Sequence, residues 1–511
     1  MTTRKSPDLL KSVIILGAAT VIAKLTGFAR EVIIAGSYGV GTFSDAIILA
    51  FTIPETLLMF ISAPVIASFI PMYHRVDNKV GFSRNIMTCL LLIGLVFSAV
   101  FTLVPEVTVR LFAFNLAPET FELTVFFVRY MVWTAIFMLL TDIYSARLEI
   151  EGAFFYAGIR SIWRNVIVII GLILGAVFDY NLFIALSTVV GNALCMFVVA
   201  MGCRKHGYVY RPFLDIHSPE LKHLLILCGP VLLSKASLQI NLIINRNFAA
   251  SLPDGTISYL HYSHRVAVLI VALFGHALFI VLYPHMSKLA ADGDFDRLKN
   301  TISQGIVYIM ALMLPLCIGM VILAQPGIRI LFQRGSFTTE DTIFTAACLR
   351  MYAPLLIFTS LSSLLMRAFY AIQNTKIPAV VSFVTVIASL GLNFILIRPL
   401  GAEGLALAVS VSGLFATGLL LFCLHNKLGS MGLKKHLPEL LKITLASCVM
   451  GAGIWFVSNM LPIMSVPIWQ SVLLCTLLVL VATLLYFLVL FFQRSKIVYE
   501  LVSIVKLRRK N

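Results

Sequence analysis

Charge is what this chain has least of. Only 12% of its 511 residues are Asp, Glu, Lys or Arg, about half the share found in soluble domains. That scarcity excludes an ordinary water-soluble globule. Cysteine is sparse and badly arranged for structure. The nine residues form no CxxC pair, and their count is odd, so neither a disulfide frame nor a zinc site is indicated. HExxH, GxxxxGK[ST] and GxSxG are all absent, and no long connection could house a catalytic domain outside a membrane. The sequence therefore reads as a non-enzyme without a cofactor. The ten-residue alternation of a membrane β-barrel is missing. The first apolar run is too long for a signal-peptide core and lacks a small-residue cleavage site.

What the chain does have is apolar length. It is 60% hydrophobic with a mean hydropathy of +0.97, and runs of about 20 apolar residues, enough to span a bilayer as helix, recur throughout. The fold expected is all-α and polytopic. Fourteen helices are expected near 11–36, 43–73, 84–112, 121–147, 155–178, 181–203, 220–250, 258–290, 300–332, 340–371, 376–397, 402–426, 437–460 and 467–493.

The net charge of +16 is a topology signal rather than a nucleic-acid footprint. Of 39 Lys and Arg, 28 fall in the alternate connections on the N-terminal side, Arg160 and Arg164 counted among them, and four fall on the other face. By the positive-inside rule both termini are cytoplasmic.

The sequence also repeats itself at an offset of about 212 to 222 residues. SFIPMY (68–73) answers VLYPHM (281–286), VRLFAF (109–114) answers IRILFQ (328–333), and Arg129 and Arg147 answer Arg350 and Arg367. A six-helix unit is even, so both copies keep one orientation, the parallel-repeat plan of many transporters. The division expected is an N-lobe at 1–203, a linker at 204–219, and a C-lobe at 220–426. Two appended helices at 437–493 and a basic tail at 494–511 follow.

Charges at membrane depth cost about 2.5–3.5 kcal/mol each on insertion scales and usually mark function. They concentrate in the first two helices of each copy: Lys24, Arg30 and Glu31; Asp45 and Glu55; Lys235, Gln239 and Arg246; His261, His264, Arg265 and His276. Lys235, Gln239 and Arg246 share a helical face, as do Lys24 and Glu31, whereas Arg30 lies about 120° away. Five bases against three acids (Glu31, Asp45, Glu55) make a cationic site, which suits an anion.

Four stretches then carry a family resemblance: TGFAREVIIAGSYGVGTFSDAIILAFTIPETL, GPVLLSKASLQINLIINRNFAASLPDGTIS, YSHRVAVLIVALFGHALFIVLYPHMSKLAADGD and LFQRGSFTTEDT. The chain resembles the MurJ (MviN) family of lipid II flippases, within the multidrug/oligosaccharidyl-lipid/polysaccharide exporter superfamily. The resemblance implies cavity charges at Lys24 (where arginine is common), Arg30, Asp45 and Arg265, and a groove by the last two helices for a polyprenyl tail. It implies a bacterial cytoplasmic-membrane protein that flips an undecaprenyl-diphosphate-linked peptidoglycan precursor outward by alternating access. Membrane potential or an ion gradient would drive it, as a monomer, with cell-wall synthesis proteins as further partners. Two departures touch the headgroup: Glu55 stands near where many members carry paired arginines, and His264 replaces a common acid. A flippase for another lipid-linked oligosaccharide and a multidrug exporter remain alternatives. A glycan polymerase would need a catalytic carboxylate and a large outer loop, and neither is evident.

Overall fold

Lipid cannot hydrogen-bond to a backbone, so a spanning segment must satisfy its own, which a helix does alone. The computed structural model describes residues 6–498, and those residues form helices without any strand. The side chains of residues 6–18, 20, 154, 230, 233–238, 276, 277, 280 and 281 lie outside the described set.

In chain order the first eight helices are α1 (Ser6–Tyr38), α2 (Thr42–Arg75), α3 (Lys79–Leu103), α4 (Pro105–Phe112), α5 (Pro118–Met131), α6 (Thr134–Ile150), α7 (Phe154–Phe178) and α8 (Leu182–Lys205). Then come α9 (Pro219–Ala250), α10 (Thr256–Ala291), α11 (Phe295–Ile322), α12 (Ala324–Phe332), α13 (Thr339–Tyr352), α14 (Leu355–Ala371) and α15 (Lys376–Leu428). A 3-10 turn, Leu433–His436, leads into α16 (Leu437–Met460) and α17 (Ile468–Phe492). By length and composition, ten helices among the described residues can cross a membrane, or eleven if α5 and α6, bent by 49°, form one span.

The duplication is visible in this order. The short helices α4 and α12 end at Phe112 and Phe332, both fully buried. The next span of each copy is broken, between Met131 and Thr134 in one and between Tyr352 and Leu355 in the other. Pro354 explains the second break, since it lacks an N–H and its ring crowds the preceding turn. The first has no proline, and a neighbour supports it instead. Buried Ser98 of α3 donates to the Val132 carbonyl at 3.2 Å, and a side chain at Gly94 would press on Ile136 Cα at 3.1 Å. Ser410 of α15 does the same for the Met351 carbonyl, at 2.7 Å. The two spans expected at 376–397 and 402–426 are two helices joined within α15 across a kink at Gly401, where the backbone leaves the helical region (φ 53°).

Contacts divide the chain into two compact units, Met1–Ser258 with Arg334–Phe337, and Tyr259–Gln333 with Thr338–Asn511. α9, which opens the second copy, packs on α2 within the first unit. Its N-terminus is set by Ser218, whose hydroxyl accepts the Leu221 N–H at 3.1 Å, and by Pro219 in the first turn.

The linker that precedes it is bound down. Asn85 of α3 donates to the Asp215 carbonyl and accepts the Asp215 N–H, both at 2.8 Å. Tyr208 is 2% exposed and lies 4.0 Å beneath the Arg147 guanidinium, and burial beside Tyr144 pushes its phenol well above the ordinary range. Arg147 also pairs with Glu151 at 2.9 Å.

In the first unit the segment Arg334–Phe337 closes on the end of α1. The Ser336 N–H donates to the Gly36 carbonyl at 2.8 Å, and the Ser336 hydroxyl donates to Ser37 O at 3.0 Å. Two glycines permit this. Gly39 (φ 67°) and Gly335 (φ 58°) are left-handed, and a Cβ on either would collide with the facing backbone.

Candidate functional site

In the first unit the polar residues of the apolar helices gather where α1, α2, α6 and α7 adjoin. Arg30 Nη2 lies 2.7 Å from Glu31 Oε1, with Glu31 only 2% exposed, and the guanidinium stacks 5.1 Å from the Phe51 ring. Helical geometry sets Arg30 off the Lys24–Glu31 face, yet its guanidinium bridges to that face at Glu31. A pair so buried repays its desolvation only while both partners remain, and removing one typically costs about 3–5 kcal/mol. Glu55, one position after Pro54 in α2, is exposed and lies within electrostatic range of Arg30.

α7 supplies residues whose place was hidden in the sequence. Arg160 and Arg164, counted there as rim charges, lie inside the span Phe155–Phe178. At about 1.5 Å per residue, Arg164 sits roughly 15 Å from the start of α7. Arg160 pairs with Asp142 of α6 at 3.6 Å and donates to Ser145 Oγ and to the Thr141 carbonyl. Arg164 lies within range of Glu55, Arg30 and Arg160. Asn165 is buried, and its Nδ2 donates to Ala23 O and Thr26 Oγ1 of α1, both at 3.3 Å. The available signal was an Arg-x-x-x-Arg-Asn spacing within an apolar run, one helical face of cations.

Asp45 is spent elsewhere. It is 2% exposed, and its carboxylate accepts the Gly255 and Ser258 N–H groups at 2.8 Å each, together with the Ser258 hydroxyl. It thus caps the first turn of α10, where an anion also suits the helix dipole. On α9, Gln239 is buried and its Nε2 lies 3.1 Å from Met59 Sδ, leaving Oε1 without a hydrogen bond. Arg246 is half-buried on the same helix, and the Lys235 side chain lies outside the described residues. Asn247 ties that end of α9 to the α4–α5 turn, accepting the Phe114 N–H at 2.9 Å and donating to Leu111 O at 3.1 Å.

The second unit holds the remaining expected residues. His261 is buried and one turn from Arg265, whose Nε–H faces His261 Nε2 at 3.5 Å; Arg265 itself is exposed. The His264 ring meets the Tyr352 ring edge to face, with centroids 5.2 Å apart. The His276 side chain is outside the described set. Among the described residues no group of three or more His, Cys, Asp or Glu could hold a metal ion.

The last two helices have a different character. α17 is the most apolar span, and only 17% of its central window is buried. It docks through Tyr486, whose hydroxyl donates to Ala311 O at 2.8 Å. The turn between α16 and α17 is gripped by Arg329 of α12, which donates to Ile463 O, Ser471 Oγ and Val466 O at 2.5–2.8 Å.

Comparison with known proteins agrees with this architecture. The family model described as "Lipid II flippase MurJ" matches residues 34–474. A relative from Bdellovibrio bacteriovorus, named probable lipid II flippase MurJ, is 29% identical over 460 residues, 87% of each chain. One of the same name from Rhizobium tropici is 28% identical over 514 residues, covering 95% of this chain and 94% of its own. Among solved structures, a lipid II flippase MurJ in an inward closed conformation matches with a TM-score of 0.80 at 24% identity. It covers 94% of this chain and 99% of its own. An inward-facing multidrug transporter of the MATE family matches with a TM-score of 0.67 at 15% identity, covering 82% and 98%.

Proposed function

The chain belongs to the MurJ lipid II flippase family, and from that premise we propose that it carries lipid II from the cytoplasmic to the outer leaflet for cell-wall synthesis. It is a transporter, not an enzyme, and a multi-pass protein of the bacterial inner membrane with a lipid-linked substrate. The observation that supports this reading within the chain itself is a set of bases at membrane depth that lack an ion-pair partner. Lys24, Arg30, Arg160 and Arg164 share the first unit with Glu31, Glu55, Asp142 and Glu149, yet among the described residues Lys24 and Arg164 make no ion pair. A diphosphate supplies them with negative charge, and charge-assisted hydrogen bonds are strengthened where water is scarce.

In this reading Lys24 and Arg30 of the first unit take the diphosphate, while the polyprenyl tail stays in lipid along α16 and α17. The bare apolar face of α17 suits a tail. Splitting α15 at Gly401 and adding α1 and α9 to the eleven spans gives fourteen helices, with both termini cytoplasmic. Alternating access would carry the headgroup across without a cofactor, and an inside-negative potential favours outward movement of negative charge by about 2.3 kcal/mol per charge per 100 mV. The protein would work as a monomer near cell-wall synthesis proteins.

The test is flipping in vesicles reconstituted with the purified protein, using lipid II and an O-antigen-type lipid-linked glycan side by side. Lipid II should move and the second substrate should lag. Movement of the second alone would overturn the headgroup assignment, and movement of neither would overturn the flippase reading.

A further inference from the structure

We infer that Lys24 of α1 and Arg164 of α7 form a two-cation cradle for a diphosphate on the seam between these helices, with Asn165 as its positioning residue. The inference rests on the flippase reading and adds to it a substrate contact on α7.

Four bases share this region, and two of them are answered: Arg30 by Glu31 at 2.7 Å, and Arg160 by Asp142, Ser145 and Thr141. Lys24 and Arg164 make no hydrogen bond or ion pair among the described residues. Lys24 is half-buried, and the Arg164 Nε has neither accessible surface nor a partner. Buried cations are ordinarily paired, because leaving one unpaired is costly. The charge near Arg164 that could answer it is Glu55, which is exposed and makes no ion pair among the described residues.

The geometry then brings the two free cations to one side. Asn165 touches Ala23 and Thr26, and further along both chains Tyr38 Oη donates to Leu172 O at 2.8 Å. Residue numbers rise together along this contact, so α1 and α7 run parallel. Lys24 follows its facing residue, Ala23, and turns about +100° from the seam; Arg164 precedes its facing residue, Asn165, and turns about −100°. On parallel helices that face each other, opposite rotations lead to the same flank. Axes of packed helices lie about 8–10 Å apart, so two long side chains can converge on a ligand with two charged centres. Arg164 cannot retreat far on the other side, because Gly191 of α8 packs against its backbone: a Cβ there would meet Arg164 O at 3.1 Å.

The experiment uses the full-length protein in neutral detergent, with farnesyl diphosphate, farnesyl monophosphate and farnesol as probes of binding. The wild type should bind the diphosphate best and farnesol not measurably. Arg164→Gln should weaken diphosphate binding roughly tenfold or more, Arg164→Lys should keep most of it, and neither should change the unfolding temperature of the ligand-free protein. Asn165→Ala should weaken binding through Lys24 and Arg164 together, so that Arg164→Gln adds little in its background. Diphosphate binding by Arg164→Gln equal to wild type would overturn the cradle, as would equal binding of all three probes. Lipid II flipping by the same samples separates the two readings: wild type and Arg164→Gln flipping equally sinks the cradle alone. A wild type that binds farnesyl diphosphate but flips nothing sinks the flippase reading alone.

Discussion

At the scale of single residues, charge decides what each group does, and the surroundings decide whether that charge is available. Lys24 has no partner among the described residues, so losing its contact with substrate should cost about 1.5–3 kcal/mol, a ten- to hundredfold fall in flipping at subsaturating lipid II. Lys24→Ala should show this at matched expression, whereas Lys24→Arg should transport nearly as well as the parent. An active Lys24→Ala would make the residue an interfacial anchor. Asp45 should behave oppositely. Its carboxylate caps α10 through three hydrogen bonds, so Asp45→Asn should lower stability by about 1–3 kcal/mol, read as a lower unfolding temperature, while farnesyl diphosphate affinity stays near wild type. Both residues stood out in the sequence as charges within apolar runs. Their different employment did not, because Asp45 finds its partners 210 or more positions away. Arg160 and Arg164 were missed for a related reason: a short basic cluster near the start of a span looks like a topology signal until the helix is placed.

At the scale of elements, the spans were legible because apolar length is a local property of the chain. The breaks were less so. Pro354 could have marked one inside the single span expected at 340–371, but Val132–Trp133 holds neither proline nor glycine, and the support it receives from Ser98 and Gly94 comes from another helix. The short helices α4 and α12 hid inside longer expected spans, 84–112 and 300–332. α12 has a clear task in holding the α16–α17 turn. Arg329→Ala would strip hydrogen bonds from the Ile463 and Val466 carbonyls and from Ser471. It should cost at least about 1.5–3 kcal/mol, the worth of one charged hydrogen bond. Hydrogen exchange across residues 461–467 should accelerate while the α3–α6 contact stays protected. Unchanged exchange there would show that the turn holds itself.

At the scale of the whole molecule, the basic residues set which ends face the cytoplasm. Cysteines introduced at Gly39, Pro253 and Pro462 should react with an impermeant reagent in intact cells, and one at Asn78 should not; labelling at 78 would reverse the orientation. The duplication was legible as faint matches such as VRLFAF with IRILFQ, and it appears in the structure as paired short helices and paired breaks. The boundary of the compact units was not legible, since the sequence marks where a repeat begins but not which helices it packs against. Nor did it show that residues 334–337 finish the first unit. That closure has a consequence in time. The Ser37 carbonyl waits for a hydroxyl 299 residues downstream, and at about 5–20 residues per second the ribosome needs roughly 15–60 s to deliver it. Throughout that interval the Tyr38 end of α1 is open, so it is completed long after it is made, and a nascent chain stalled before residue 334 would present that unfinished rim to whatever surveys new membrane proteins.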